Sequence, residues 1–362
     1  MAGQAGALVL LEMTPEFWYG KSVLVTGHTG FKGGWLSLWL QQLGAHVHGY
    51  SLPVATNPSL FLESRVGEGM THVEGDIRDL SQLKTCFNSA QPEIIFHLAA
   101  QALVRPSYLD PAETITSNVM GTMNVLEAIR TSPSVKAVVV ITSDKCYENR
   151  EWHWPYREIE ALGGKDPYSA SKACAEIITA SWRDSFLAKQ GVSVATARAG
   201  NVIGGGDWSA DRLIPDALRA WQSGATLQVR YPLAVRPWQH VLDPLAGYLI
   251  LAENLYAGKS AEPWNFGSSE ADMRPVGQIL DNMAALWGDG ALWQADTQQH
   301  PHEAGLLRLD SSKARNLLGW RPKFNIDQAM EQVMLWHRSW MAGEDMHLFT
   351  IRQIEQYMAI SQ

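Results

Sequence analysis

The sequence has 362 residues, of which 46% are hydrophobic and 18% charged, and its formal net charge is −8. This length exceeds that of one ordinary core, so we expect two lobes of unequal size. The net charge is negative and no cluster of basic residues is visible, so we expect neither nucleic acid nor anionic membranes as partners. No apolar run approaches the roughly 20 residues of a membrane span.

Five short apolar segments in the first half predict β-strands. They are SVLVTG (22–27), AHVHGYSL (45–52), EIIFHLAA (93–100), KAVVVITS (136–143) and VSVATARA (192–199). Helix-like sequence separates each segment from the next, as in βαβ units. The pattern predicts an α/β fold with a Rossmann-type, doubly wound parallel sheet.

The second half of the chain predicts a smaller lobe. After about residue 201, glycines and prolines break the sequence into short elements. We predict a cofactor-binding domain over 13–200 and a C-terminal α/β substrate lobe over 201–240 and 269–345. Residues 241–268 are expected to return to the first domain, and residues 1–12 to form an N-terminal extension.

The cysteines and histidines predict no metal site. Three scattered cysteines without a CxxC pair favour a reducing, cytoplasmic environment over a disulfide framework or a zinc site. His46 and His48 share a strand face, and His300 and His302 flank a proline, but neither pair has accompanying ligands. We therefore interpret both pairs as structural.

The segment TGHTGFKG (26–33) predicts a dinucleotide site. Gly27 would permit a tight turn after the first strand, Gly30 would let backbone amides approach a pyrophosphate, and Gly33 would allow close packing of helix on strand. The spacing is GxxGxxG rather than GxGxxG. The context of strand, turn and helix nevertheless favours dinucleotide binding over a structural turn.

The adenosine end of that site departs from the usual pattern. The second strand ends in Ser51 where an acidic residue is expected to bind the ribose, which makes NAD over NADP less secure. Lys32 could face a 2′-phosphate or the pyrophosphate. Asp76 could accept from the adenine amino group or serve as a helix N-cap.

Tyr168 and Lys172 are candidates for proton transfer. They are four residues apart in DPYSASKA, so on a helix they share a face. A nearby cation favours the phenolate of a tyrosine, which could then take a proton from a substrate hydroxyl. Ser143 lies at the end of a predicted strand, where ligands bind in open α/β sheets.

The glycine loop, Ser143, and Tyr168 with Lys172 together resemble the extended short-chain dehydrogenase/reductase family over nearly the whole chain. HTGFKGGWLSLWL, TSDKCYEN, NVIGGGDW, RPWQHVLDPL and HEAGLLRLD resemble its nucleotide-sugar 4,6-dehydratases, most closely the group that acts on CDP-glucose. The resemblance implies a site for NAD. The predicted contacts are Gly27, Thr29, Gly30, Phe31, Lys32, Gly33, Ser51, Asp76, Ile77, Leu98, Ala99, Ala100, Asn118, Thr142, Tyr168 and Lys172.

The resemblance also implies a reaction sequence in deoxysugar biosynthesis of the O-antigen type. Tyr168, hydrogen-bonded by Ser143, would deprotonate the sugar 4-hydroxyl while hydride passes from C4 to NAD. A base would then remove the C5 proton. Asp144 would protonate the departing 6-hydroxyl, and the hydride would return to C6, giving CDP-4-dehydro-6-deoxy-D-glucose and water.

Lys145 departs from the family pattern, because many relatives carry a glutamate base at this position. Three interpretations stay open. A neutral Lys145 could be the C5 base, since burial can deprotonate a lysine. A charged Lys145 could stabilise the enolate or the substrate phosphates, or the residue could be a solvated lysine at a strand end.

The remaining predictions concern substrate and assembly. Asn201, Arg212, Arg236 and Arg308 are the expected substrate contacts, because arginine binds phosphates with two donors. Helical segments 111–130 and 169–182 resemble the pair that relatives use to form homodimers, and a homotetramer is a further expectation. Two alternatives to dehydration stay open: a nucleotide-sugar 4-epimerase, which needs no Asp144, and a non-catalytic NAD-binding module.

Overall fold

The computed structural model describes residues 13–298 and 305–361. The predicted extension at residues 1–12 and the pair His300 and His302 lie outside these ranges. No helix in the described ranges is long and apolar enough to cross a membrane.

A sheet of seven parallel strands forms the centre of the molecule, in the order β3-β2-β1-β4-β5-β6-β11. Its strands are β1 (Ser22–Thr26), β2 (His46–Ser51), β3 (Thr71–Glu74), β4 (Ile94–His97), β5 (Ala137–Ile141), β6 (Ser193–Arg198) and β11 (Trp264–Asn265). The five predicted strands are confirmed as β1, β2, β4, β5 and β6. The Rossmann-type fold class is therefore confirmed.

Within residues 13–298 and 305–361, three further strand pairs lie outside this sheet. They join β7 (Val202–Ile203) to β10 (Gln239–His240), β8 (Leu227–Val229) to β13 (Trp293–Ala295), and β9 (Val235–Pro237) to β12 (Met273–Pro275). The α-helices are α1 (Pro15–Trp18), α2 (Phe31–Gln42), α3 (Leu60–Glu63), α4 (Leu80–Ala90), α5 (Val104–Leu109), α6 (Pro111–Ile115), α7 (Gly121–Arg130), α8 (Pro167–Trp182), α9 (Leu213–Gln222), α10 (Leu242–Tyr256), α11 (Val276–Trp287), α12 (Ser312–Leu317), α13 (Ile326–Met341) and α14 (Met346–Ala359).

Both faces of the central sheet are buried, which explains why its strands are continuous apolar runs. In β1, Val23 and Val25 join an apolar cluster that contains residues of α2 and α10. Leu24, on the opposite face, joins a second cluster with residues of α4 and α7. The alternation of side chains along a strand therefore assigns each residue of β1 to one of two cores.

A third apolar cluster marks the second lobe. It joins α9, α11 and α13 around Trp221, Ile279 and Met330. The chain also contributes to the first lobe late in the sequence, because α10 packs in the first core and β11 pairs with β6. The residue boundaries of the two predicted domains stay a prediction.

The strand order fixes the place of a binding site. The order runs from β1 outward through β2 and β3 on one side and through β4, β5 and β6 on the other. Ligands of such sheets bind in the crevice beyond the carboxyl ends of the strands, where the order reverses. TGHTGFKG follows β1 and the Ser143 segment follows β5, so both lie at this edge.

Candidate active site

One cavity of about 1380 Å³ lies at the carboxyl edge of the sheet and extends into the second lobe. It exceeds the volume of about 300–1,000 Å³ that is usual for one small ligand, so two ligands can lie side by side. All but two of the predicted site residues line it. The exceptions are Asn118 and Arg308.

The three glycines of the turn have two roles: Gly27 and Gly33 allow close packing of the backbone, and Gly30 faces the cavity. A Cβ on Gly33 would lie 2.1 Å from the carbonyl oxygen of Gly27, and one on Gly27, whose φ is +78°, would lie 2.7 Å from the Ala99 nitrogen. A Cβ on Gly30 would meet only the Gly27 oxygen, at 3.3 Å. Gly30 also precedes α2, whose N-terminus has no side-chain cap. The turn therefore fits a dinucleotide pyrophosphate.

Hydroxyl groups rather than a carboxylate end the second strand at the cavity. The Oγ atoms of Ser51 and Thr29 are 2.7 Å apart, and Thr29 also donates to the Leu52 carbonyl at 2.9 Å. This geometry leaves Ser51 a small hydrogen-bonding group at the predicted ribose position.

Asp76 also lines the cavity, and an ion pair with Arg78 lowers the pKa of its carboxyl. Its Oδ1 accepts from the Arg78 backbone nitrogen at 2.8 Å. The alternative prediction, that Asp76 caps a helix, is wrong. Asp79 caps α4 by accepting from the Gln82 nitrogen at 3.0 Å.

Lys32 lies on the catalytic side of the glycine turn. Burial lowers its pKa to about 7, and the cations Arg212 and Lys172 act in the same direction while Asp144 opposes them. These neighbours belong to the catalytic and substrate parts of the cavity. The arrangement favours a role near the phosphates or the reacting sugar over the 2′-phosphate alternative.

A short helical turn presents the predicted acid and its neighbours. Ser143 caps the turn by accepting from the Lys145 nitrogen at 3.2 Å, and its hydroxyl donates to Asp144 Oδ1 at 2.9 Å. The Asp144 side chain is 1% exposed, and Lys145 Nζ lies 3.4 Å from Oδ1. Among the described residues, Asp144 Oδ2 has no hydrogen-bond partner. Gly200 packs against this carboxylate, because a Cβ there would lie 2.0 Å from Oδ2.

Tyr168 and Lys172 lie buried on α8. Burial raises the pKa of Tyr168, while the charge of Lys145 and then the hydrogen bond with Ser143 oppose that rise. Lys172 Nζ donates to the Ile141 carbonyl at 3.4 Å, and burial lowers its pKa to about 8 against the opposing charge of Glu176. Lys145 is thus a cation that favours the Tyr168 phenolate, in addition to the predicted contribution of Lys172.

The two residues that do not line the cavity have partners elsewhere. Asn118 is buried, donates to the Gln101 carbonyl at 2.9 Å and to Ser171 Oγ at 2.8 Å, and accepts from the Gln101 nitrogen at 2.8 Å. It therefore holds the loop after β4. Arg308 lies 3.3 Å from Glu270 Oε1.

Arginines line the part of the cavity that belongs to the second lobe. Arg212 donates to Asp207 Oδ2 at 3.1 Å, and Arg236 to the Gly305 carbonyl at 3.2 Å. Asn201 has a φ of +47°, and its carbonyl accepts from the Gln239 nitrogen at 3.3 Å. In the described ranges, no group of three or more acidic, histidine or cysteine side chains could hold a metal ion.

Two further arginines in this part of the cavity were not predicted. Arg105 and Arg230 both pair with Asp211, at 2.8 and 3.6 Å. Arg105 follows β4 at the carboxyl edge of the sheet, and this position in the sequence could have marked it as a candidate ligand contact. Nothing local distinguishes Arg230.

The reversal of strand order, the glycine turn and the serine, tyrosine and lysine set define an extended short-chain dehydrogenase/reductase. The family model described as GDP-mannose 4,6 dehydratase matches residues 24–333, and the chain belongs to this family. The resemblance that the sequence motifs carried is confirmed.

Relatives and solved structures agree with this assignment. A CDP-glucose 4,6-dehydratase of Salmonella typhimurium is 51% identical over 351 residues, covering 95% of this chain and 98% of the relative. Epimerase Mth375 of Methanothermobacter thermautotrophicus superposes with a TM-score of 0.80 at 23% identity, covering 91% of this chain and 95% of that one. A dTDP-glucose 4,6-dehydratase of Bacillus anthracis in complex with NAD superposes with a TM-score of 0.73 at 21% identity, covering 88% and 96%. The two structures support the fold.

Proposed function

We propose that this protein converts CDP-D-glucose to CDP-4-dehydro-6-deoxy-D-glucose and water, using tightly bound NAD. The observation that carries the proposal is the buried carboxylate of Asp144, which lies in the same cavity as Ser143 and Tyr168. A 4-epimerase needs the serine and the tyrosine but has no use for an acid near the 6-hydroxyl. The relative that is 51% identical supports the choice of CDP-glucose.

NAD is the proposed cofactor because the glycine turn fits a dinucleotide and Ser51 provides a hydroxyl rather than a cation at the ribose position. Thr29, Gly30 and Phe31 would contact its pyrophosphate, and Gly27 and Gly33 would shape the turn that receives it. When bound, the dinucleotide accepts a hydride from C4 and returns it to C6.

Tyr168 is proposed to take the proton of the sugar 4-hydroxyl, with Ser143 as hydrogen-bond partner. The charge of Lys145 lowers the pKa of Tyr168 and so favours the phenolate that this step requires. A ketone at C4 then makes the C5 proton acidic. Asp144 would then pass a proton from Oδ2, which has no hydrogen-bond partner among the described residues, to the 6-hydroxyl, which departs as water.

For Lys145 we favour the role of a cation over that of a neutral base. Its side chain is 35% exposed, so its burial is far from complete, and its ammonium group lies 3.4 Å from Asp144 Oδ1. A cation at this place would stabilise the enolate oxygen, and the C5 proton would pass to another group that lines the cavity.

Arg212 and Arg236 are proposed to bind the substrate diphosphate, because both line the cavity on the side of the second lobe. Asn201 would contact the sugar. Arg308 and Asn118 would act through neighbouring segments instead.

We also propose a cytoplasmic homodimer, which could pair further into a homotetramer. The segment that contains α6 and α7 exposes the apolar side chains Ile115 and Met120, α8 exposes Ile177, and the turn directly after α8 exposes Phe186. Burying such side chains against a second copy would stabilise the dimer.

The experiment that tests the proposed substrate offers CDP-, dTDP-, UDP- and GDP-glucose to the purified protein without added cofactor. Mass spectrometry measures the product of each. Loss of one water from CDP-glucose alone is expected. Conversion of CDP-glucose to a product of unchanged mass would favour the epimerase, and preference for dTDP-glucose would refute the substrate assignment but not the chemistry.

A further inference from the structure

We infer that a buried ion pair, Glu176 with Arg198, positions the turn that carries Ser143, Asp144 and Lys145. This inference rests on the proposed function and adds to it a set of positioning residues that do not contact the reacting atoms. The pair holds the turn at both ends, through Thr142 before it and Tyr147 after it.

The ion pair itself is fully enclosed. The side chains of Arg198 and Glu176 are 2% and 3% exposed. Arg198 Nε donates to Glu176 Oε1 and Nη2 donates to Oε2, both at 2.8 Å. A buried pair of this kind often adds no more stability than apolar side chains of the same volume, which directs attention to what else it contacts.

The carboxylate of Glu176 holds the entrance of the turn. Thr142, the residue before Ser143, donates from Oγ1 to Glu176 Oε1 at 2.5 Å. Thr196 of β6 donates to Oε2 at 2.6 Å, so both carboxylate oxygens are satisfied. The end of β5 is thereby fixed to α8, the helix that carries Tyr168 and Lys172.

The guanidinium of Arg198 holds the exit of the turn. Its Nη1 donates to the Tyr147 hydroxyl at 2.6 Å, and its carbon lies 4.8 Å from the centre of the Tyr147 ring. Tyr147 in turn donates to Asn265 Oδ1 at 2.8 Å. Asn265 belongs to β11 and also donates to the Tyr156 carbonyl at 2.8 Å, which anchors the exit to the rim of the sheet.

Between these anchors, hydrogen bonds link Ser143, Asp144 and Lys145 to one another. Ser143 Oγ accepts from the Lys145 nitrogen and donates to Asp144, and the Cys146 nitrogen donates to the Ser143 carbonyl at 3.2 Å. Loosening either anchor should therefore displace Asp144 and Lys145 while Tyr168, on α8, stays in place. The elimination of water should suffer more than the oxidation at C4, which loses only the contributions of Ser143 and Lys145 to the Tyr168 phenolate.

The ion pair also acts electrostatically on Lys172, the buried partner of Tyr168 on α8. The charge of Glu176 raises the pKa of Lys172 against the larger effect of burial, which lowers it to about 8. The same carboxylate thus influences oxidation through Lys172 and elimination through Thr142.

The test removes one hydroxyl at the exit with Tyr147→Phe, which keeps the ring over Arg198. We expect kcat with CDP-glucose to fall about tenfold with KM within about twofold, because small misplacements of reacting groups slow chemistry more than binding. The oxidised sugar that still carries its 6-hydroxyl, trapped by borodeuteride, should accumulate. Tyr256→Phe is the matched control, because its hydroxyl also serves an ion pair, Lys21 with Glu93, away from the cavity.

Three further variants keep the inference testable if Tyr147→Phe folds poorly. Thr142→Val should show the same accumulation, and Thr142→Ser, which retains the hydroxyl, should restore turnover. Glu176→Gln should in addition move the alkaline limb of the pH profile to lower pH, because Lys172 loses a neighbouring negative charge. Tyr147→Phe should leave that limb unchanged.

The outcomes separate this inference from the proposed function. If the unmodified protein removes no water from CDP-glucose, the proposed function fails. If it does, but Tyr147→Phe and Thr142→Val behave like Tyr256→Phe, the ion pair has no positioning role.

Discussion

The two halves of the cavity are lined by different kinds of groups. The half at the carboxyl edge of the sheet is lined by backbone and by buried side chains. Its glycines Gly27 and Gly33 leave no room for a Cβ atom, and Tyr168, Lys172 and Asp144 are almost excluded from solvent. The half in the second lobe uses long arginine side chains that already pair with carboxylates, such as Arg212 with Asp207.

This difference separates what chemistry requires from what recognition requires. Hydride and proton transfers demand fixed distances, which backbone and buried hydrogen bonds provide. A diphosphate tolerates several geometries, and arginines on loops can adjust to it. Substitutions in the first half should therefore reduce kcat, and substitutions in the second half should raise KM.

The largest effect is expected from Tyr168→Phe. Loss of the phenol removes the group that takes the 4-hydroxyl proton, so kcat should fall by about 10³-fold, within the usual range for general-base catalysis. Bound dinucleotide, measured after denaturing the purified protein, should match the unmodified protein. A decrease in kcat smaller than about tenfold would contradict the role of Tyr168.

Lys145 provides the next test, with two variants. Lys145→Met should abolish exchange of the C5 proton with solvent deuterium, while oxidation at C4 continues at a lower rate because Tyr168 loses the charge that favours its phenolate. Lys145→Arg keeps the positive charge but cannot act as a neutral base. If exchange persists in Lys145→Arg, the cation role is supported, and if both variants lose it equally, Lys145 is the base.

A pair of glycine variants tests the backbone half. Gly33→Ala places a Cβ 2.1 Å from a carbonyl oxygen and should lower the melting temperature of the protein. Gly30→Ala places a Cβ 3.3 Å from the Gly27 oxygen, a much smaller overlap, so it should lower the melting temperature less but weaken NAD binding about tenfold, because the amides can no longer approach the pyrophosphate. Calorimetry of folding and of binding measures both. Equal melting temperatures for the two variants would contradict this division of roles.

A smaller effect is expected from Arg212→Ala in the second half. Loss of one charged contact to the diphosphate should raise KM for CDP-glucose about tenfold, with kcat within about threefold. Arg352→Ala, an exposed arginine on α14 that pairs with Glu344, is the matched control. A decrease in kcat at constant KM would place Arg212 with the catalytic half.

The smallest effect concerns pH. Because the pKa of Lys172 is lowered to about 8, its positive charge is present below about pH 8 and is lost above it. The unmodified protein should lose turnover as pH rises through this range. Lys172→Arg stays charged, so its alkaline limb should move to higher pH even though its maximal rate is lower. If the alkaline limb stays at the same pH in Lys172→Arg, the loss of turnover is caused by the titration of another group.

Sequence reasoning predicted the parts whose signals are local. Buried strands are apolar runs, and the glycine turn is one contiguous motif, so both could be predicted. The strand β3 was missed because most of its residues are exposed and give no apolar signal. Arg230 could not be predicted, since only the folded chain brings it to Asp211.

The departures within the site have the same physical origin. Asn118 was predicted to contact the cofactor, but it bonds Gln101 and Ser171, partners that come from two other segments. Lys145 was singled out by sequence, yet its effect on Tyr168 depends on a distance between β5 and α8. Glu176 and Arg198 give no sequence signal of their own, because their importance lies in what they jointly contact.

The central claim is that one molecule of cofactor carries the hydride from C4 to C6 while Asp144 expels the 6-hydroxyl. The most direct test uses CDP-glucose with deuterium at C4 in ordinary water. The account predicts a product that has lost one water and carries the deuterium at C6. Deuterium retained at C4, or a product of unchanged mass, would contradict it.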